Sequence, residues 1–170
     1  MSSHASDPQS SMPLPKVPSD HQHHPSLVIK HYLDLIADTP ILQRSCLNAA
    51  NIPKNSITDP YAKVSSAREF SFLQHLLLHM PSNMLGFDAG KSFHVNCHEH
   101  LGFAALSSNT PLDALKSLVN FSGLTYSFFS LNLTVKNTFV RLTLEDQYDL
   151  GELYIFYLLR DITFVITAGR

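Results

Sequence analysis

The chain has 170 residues, of which 44% are hydrophobic and 15% are charged, and its formal net charge is −2. That length accommodates one domain with a substantial core, while the charge excludes the basic face by which a domain binds nucleic acid on its own. The two cysteines, Cys46 and Cys97, belong to no paired motif, so a disulfide framework is not expected.

The first 25 residues differ in composition from the rest. They contain five of the ten prolines, several serines and the histidines His21, His23 and His24, with few large apolar groups. Such a segment buries too little surface to offset chain entropy, so we predict a disordered tail over 1–25 and one folded domain over 26–170. The start lacks a secretory signal and every apolar stretch is too short to span a bilayer. A cytoplasmic protein without a membrane partner is therefore expected.

Apolar residues at helical spacing dominate the first half of the domain. Ser26 precedes one such pattern, and Thr39-Pro40 starts a second that ends at Pro53. The spacing predicts a helical pair, followed by a short helix over 83–91 near the middle of the chain.

Between these lies the sequence Ser66-Ala67-Arg68-Glu69, which matches a capping box. In this motif the Ser66 hydroxyl and the Glu69 carboxylate each satisfy a backbone N–H group at the start of a helix. The helix that follows is expected to end before Pro81.

Two further helices are predicted around a polar corner at 107–109. The first covers His98 to Leu106, and the second begins with Thr110 as its N-cap and Pro111 in its first turn. The apolar residues of the second helix fall on one face, namely Leu112, Leu115, Leu118 and Val119.

The pattern changes to strict alternation near residue 131. Apolar and polar residues alternate over 131–135 and 140–145 around a turn at 136–139, which predicts an antiparallel hairpin over about 131–145. Residues 124–130 are candidates for a third strand. A final helix over 148–167 is apolar on more than one side, which is typical of a central or interface helix. The predicted fold class is α+β, mainly helical with a small antiparallel sheet.

One run contains residue types that bind metals: His94, Cys97, His98 and His100. These residues are a weak alternative metal site, because their spacing matches no established zinc pattern and adjacent residues on a helix diverge. A polar helix entrance is the other interpretation, and we expect no metal and no cofactor. The chain also lacks a Gly-x-Ser-x-Gly motif and a phosphate-binding glycine loop, so an enzyme is not expected.

Several short motifs point to a family when taken in order. They are Leu85-Gly86-Phe87, Gly90, Leu101-Gly102-Phe103-Ala104-Ala105-Leu106-Ser107-Ser108 and Thr110-Pro111-Leu112. Together they resemble the amino-terminal effector-binding (arabinose-binding-like) domain of AraC-type transcription regulators. The resemblance runs from about Leu27 to the end of the chain. It departs from the family at Glu99 and His100, which replace a glycine and an aliphatic residue.

The resemblance implies a ligand-sensing and dimerisation domain without enzymatic activity. Its expected partners are a small-molecule effector, a second copy in a homodimer, and DNA only through a carboxy-terminal domain absent from this chain. The alternatives are a small metal-binding protein that uses Cys97 and its neighbouring histidines, and a structural dimerisation module based on the apolar final helix.

An effector of such a domain would bind in a mostly apolar pocket with a few polar groups. Arg141 is the expected partner for a carboxylate ligand, with a solvated position on the hairpin as the other interpretation. For the aromatic candidates the other interpretation is core packing. The predicted lining residues are His98, His100, Phe103, Phe128, Phe129, Arg141 and Tyr157.

Overall fold

The computed structural model describes residues 23–82, 84–93, 107–120 and 126–168. Within these ranges the fold is α+β and mainly helical, as predicted, with six α-helices and two antiparallel two-stranded sheets. Single 3-10 turns occur at Lys54–Ile57 and Gly151–Leu153. In chain order the elements are β1 (His23–Pro25), α1 (Leu27–Leu35), α2 (Pro40–Ala49), β2 (Lys63–Ser65), α3 (Ser66–His79), α4 (Met84–Ser92), α5 (Pro111–Asn120), β3 (Phe129–Lys136), β4 (Phe139–Asp146) and α6 (Tyr154–Ala168).

Strand β1 lies inside the segment predicted to be a disordered tail. It pairs antiparallel with β2, so that His24 lies opposite Val64. The predicted disorder is therefore wrong for residues 23–25. A three-residue strand of two histidines and a proline carries no alternating apolar pattern from which it could have been recognised. Residues 1–22 lie outside the described ranges.

Three helices begin at the predicted positions, but not all of their predicted N-cap hydrogen bonds form. At α5 the cap is confirmed, because the backbone N–H of Asp113 donates to Thr110 Oγ1 over 3.1 Å. Helices α1 and α2 begin as predicted after Ser26 and Thr39, although neither hydroxyl accepts a capping hydrogen bond. The predicted helix over 98–106 lies outside the described residues.

Helix α3 is capped one residue earlier than the sequence suggested. Ser65 accepts a hydrogen bond from the backbone N–H of Arg68 over 3.4 Å, which places Ser66 inside the first turn. The predicted capping box is therefore wrong. The Glu69 carboxylate points into the interior instead, while the buried Ser66 hydroxyl has no hydrogen-bond partner among the described residues.

The hairpin of β3 and β4 is confirmed. Its register pairs Leu131 with Leu144 and Lys136 with Phe139, which leaves a two-residue loop at 137–138. In the described part of the predicted third strand, 126–130, the last two residues belong to β3 and extend this hairpin. No additional strand forms in that part of the segment.

Helices α4 and α6 pack unusually closely. A Cβ atom added to Gly86 would lie 2.4 Å from the carbonyl oxygen of Phe156. One added to Gly90 would lie 2.4 Å from the carbonyl oxygen of Arg160 and 2.6 Å from Cβ of Thr163. The two glycines therefore let the backbones of α4 and α6 meet without intervening side chains.

We expect the substitution Gly90→Ala to destabilise the protein. Alanine favours a helix over glycine by about 1 kcal/mol, but its methyl group would meet the α6 backbone, and overpacking of this kind costs about 1–3 kcal/mol. We expect the clash to prevail, so urea denaturation should show a lower free energy of unfolding. The control Lys91→Ala, at an exposed position of α4, should change stability by no more than about 0.5 kcal/mol. A Gly90→Ala protein as stable as the wild type would contradict the close packing.

Candidate functional site

A fully buried carboxylate, that of Glu69, lies at the centre of the molecule. Its Oε2 is 2.6 Å from Nδ1 of His24. Its Oε1 accepts hydrogen bonds from the hydroxyl of Tyr32 over 3.0 Å and from that of Tyr157 over 3.3 Å. Residues from β1, α1, α3 and α6 thus meet at one side chain.

The guanidinium group of Arg160 extends this cluster along α6. Its Nη1 donates to the Tyr32 hydroxyl over 2.8 Å and lies 3.5 Å from Oε1 of Glu69. Its Nε donates to Oδ1 of Asp161 over 2.7 Å, and its Nη2 donates to the carbonyl oxygen of Tyr126 over 2.7 Å. Arg160 therefore links the buried carboxylate of Glu69 to that of Asp161.

The protonation states follow from these contacts. Burial alone would raise the pKa of Glu69, but its electrostatic interactions with His24 and Arg160 and its hydrogen bonds outweigh this effect and hold that pKa below its ordinary value. Burial raises the pKa of Tyr32 and Tyr157 well above that of a free tyrosine. Burial would lower the pKa of Arg160, yet the neighbouring carboxylates raise it. At neutral pH Glu69 and Arg160 are charged, and both tyrosines are neutral donors.

A cavity lies beside the Arg160–Asp161 end of the cluster. It has about 470 Å³ of empty space, including its mouth to solvent. Ser127 donates a hydrogen bond to Oδ2 of Asp161 over 2.7 Å within its wall. Mostly apolar walls with a few fixed polar groups are typical of a small-molecule site. The described lining residues are Phe93, Leu118, Tyr126, Ser127, Leu131, Arg160, Asp161, Phe164 and Val165.

The predicted lining residues lie elsewhere or outside the described ranges. Tyr157 belongs to the Glu69 cluster, and Phe128 is buried against the rings of Tyr157 and His24. Phe129 is also buried, whereas Arg141 is exposed on β4. Of these four described candidates, none lines the cavity, and their role in binding stays a prediction. The other three, His98, His100 and Phe103, are not among the described residues.

The residues at the centre of this arrangement were missed in the sequence, although one signal was present. Arg160 and Asp161 are the two charged residues in the otherwise apolar sequence of α6. Charged groups inside a helix with so much apolar surface are expected to be paired and buried. Glu69 gave no such signal, because it fitted a capping box equally well.

The histidine pair on α3 is explained by hydrogen bonding. Nε2 of His75 is 2.7 Å from the hydroxyl oxygen of Ser45, and Nδ1 of His79 is 2.9 Å from the carbonyl oxygen of His75. Among the described residues, no group of three or more His, Cys, Asp or Glu side chains is placed to hold a metal ion. The predicted alternative metal site over 94–100 lies outside those residues.

Comparison with known protein families agrees with the motifs around Gly86 and Gly90. A family model described as the arabinose-binding domain of AraC transcription regulators, N-terminal, matches residues 42–170. The chain belongs to this family. The predicted resemblance is thereby confirmed, and the arabinose-binding domain is a ligand-sensing regulatory domain of these regulators and not an enzyme family.

One further comparison is negative. No curated protein matches the chain. In the part of the chain that the structure describes, no helix has both the length and the apolar character to cross a membrane.

The two buried tyrosines provide a matched test of the cluster. Both hydroxyls donate to Glu69, but only that of Tyr32 also accepts a hydrogen bond from Arg160. Tyr32→Phe therefore leaves a buried guanidinium N–H without its acceptor and should cost about 1–3 kcal/mol, whereas Tyr157→Phe should cost about 0.5–1.5 kcal/mol. Urea denaturation of both variants measures the difference. A loss from Tyr157→Phe equal to or larger than that from Tyr32→Phe would contradict the bridging role of Tyr32.

Proposed function

We propose that the domain senses a small molecule in the cavity beside Arg160 and Asp161. DNA contact would then be made by a separate DNA-binding domain of the same regulator, in the cytoplasm. The family match supports the regulatory role. The observation on which the proposal mainly rests is a pair of buried, opposite charges in the wall of an apolar cavity.

The hydrogen bonds of this wall explain how binding of an effector would change the rest of the domain. Asp161 is held by Arg160 and Ser127, and Arg160 is held in turn by Tyr32 and by the carbonyl oxygen of Tyr126. A polar wall fixed in this way binds with little loss of side-chain entropy. A ligand that contacts Asp161 acts on Arg160 and thereby on the Glu69 cluster, which biases the packing of α6 against α1 and α3.

Filling the cavity tests this site directly. Val165 lines the cavity, whereas Ile41 on α2 is 84% exposed. Val165→Trp should weaken binding of the fluorescent apolar probe N-phenyl-1-naphthylamine at least about tenfold, or about 1.4 kcal/mol, because the indole occupies the space. Fluorescence titration of the full chain measures this affinity.

The matched control is Ile41→Trp, which adds the same side chain on α2, outside the cavity and outside α6, and it should bind the probe as the wild type does. Equal binding by the wild type and Val165→Trp would place the probe elsewhere and contradict the proposed site. Absence of any probe binding by the wild type would contradict the sensing role of the cavity.

We also propose that the domain forms a homodimer through the exposed side of α6. Ile155, Ile162 and Ile166 are 47%, 37% and 54% exposed, and their spacings of seven and four residues place them on one face of the helix. Exposed apolar residues in such a row are typical of a helix that packs against a partner. In a dimer with a twofold axis, this row of one copy would pack against the same row of the other copy.

The dimer can be tested by introducing a charge into the row. Ile162→Glu should convert a dimer into a monomer, because a dimer would bury the new carboxylates without partners. Size-exclusion chromatography with light scattering gives the mass of each protein. The control Ile41→Glu changes an isoleucine of α2 that is 84% exposed and should leave the mass unchanged. A wild-type protein that is monomeric at high concentration would contradict the dimer.

A further inference from the structure

We infer that the effector is an aromatic molecule with a hydrogen-bond donor, such as an amine or a hydroxyl, and without a carboxylate. The inference rests on the proposed function, since it takes the cavity beside Arg160 and Asp161 as the effector site. It follows from three properties of the described wall, namely its charges, the acceptor positions that Asp161 still offers, and its aromatic side chains.

The charge balance disfavours an anion. Arg160 and Asp161 are the charged residues of the described wall, and Glu69 lies directly behind them. Arg160 lies 2.7 Å from the Asp161 carboxylate and 3.5 Å from that of Glu69. The Glu69 carboxylate also contacts Nδ1 of His24 over 2.6 Å, so the charge of Arg160 is matched within the cluster. Within the described wall an anionic ligand would meet no uncompensated positive charge, and it would lie beside the Asp161 carboxylate, where apolar walls reduce the screening of the repulsion by water.

The nitrogens of the Arg160 guanidinium group are also engaged. Nε, Nη1 and Nη2 each donate to a protein oxygen, those of Asp161, Tyr32 and the Tyr126 backbone. A guanidinium group has five N–H groups, so two remain, and one of their nitrogens, Nη1, already lies 3.5 Å from Oε1 of Glu69. A carboxylate ligand would therefore compete with Glu69 for that nitrogen.

Asp161, in contrast, retains capacity to accept. Its described contacts use one acceptor position on each oxygen, from Arg160 Nε and Ser127 Oγ, whereas a carboxylate has about four such positions. The side chain is 12% exposed, so it is accessible to a ligand. An ammonium or hydroxyl group on the ligand would gain a charge-assisted hydrogen bond, which is among the stronger kinds in proteins.

The rest of the wall favours an aromatic body. Three of its apolar residues are aromatic, Phe93, Tyr126 and Phe164, and rings of this kind attract another ring in tilted or offset contact. This inference differs from the predicted carboxylate partner, Arg141, which is exposed on β4.

A matched ligand series tests the inference with the full chain. We would compare 2-(1-naphthyl)ethylamine, 2-(1-naphthyl)ethanol and 1-naphthaleneacetate, which share one ring system and differ in having a cationic donor, a neutral donor or an anion. Each compound competes with N-phenyl-1-naphthylamine in a fluorescence displacement assay at neutral pH. We expect the amine to compete at least tenfold more strongly than the acid, with the alcohol between them.

The variant Asp161→Asn tests whether the preference for the amine over the acid depends on the Asp161 carboxylate. It should reduce the advantage of the amine over the acid to less than threefold and weaken binding of the alcohol less than that of the amine. Ser127→Ala retains the charge of Asp161 and should retain the preference for the amine. If Asp161→Asn does not fold, the rank order in the wild type and in Ser127→Ala still decides the inference.

The outcomes separate this inference from the proposed function. An acid that competes as well as the amine, or a probe that none of the three compounds displaces, would overturn the inferred ligand class while the cavity remains the binding site. A probe that fails to bind the wild type, or binds Val165→Trp equally well, would instead overturn the proposed function.

Discussion

The fold depends on satisfying one carboxylate that water does not reach. Glu69 is stable as an anion only when donors from β1, α1 and α6 arrive together at α3, because an unpaired buried charge costs several kcal/mol. We expect these hydrogen bonds to favour one arrangement of the helices around α3, and this arrangement also positions Arg160 and Asp161 at the cavity.

The elements with local signals were predictable from the sequence. The hairpin follows from alternating apolar residues on both sides of a short turn, and the start of α5 follows from a threonine followed by a proline. In both cases the residues that determine the structure lie within a few positions of one another. The fold class could be predicted for the same reason, since it is the sum of such local patterns.

The candidate site could not be predicted in this way. Its hydrogen bonds join residues far apart in the chain, such as His24 with Glu69 over 45 positions and Tyr32 with Arg160 over 128. A shift of one residue in the cap of α3, from Ser66 to Ser65, also changed the role of Glu69. Periodicity shows that a helix has an apolar face, but it does not show which polar residue on that face will meet a partner.

The contact of α4 with α6 through Gly86 and Gly90 has a mechanical consequence. Two backbones in direct contact leave no side chain between them whose rotamer change could open space. The separation of α4 and α6 is therefore set by backbone contact at Gly86 and Gly90. Phe93, directly after α4, and Asp161 on α6 lie in the same cavity wall, so this contact also bears on the distance between two residues of that wall.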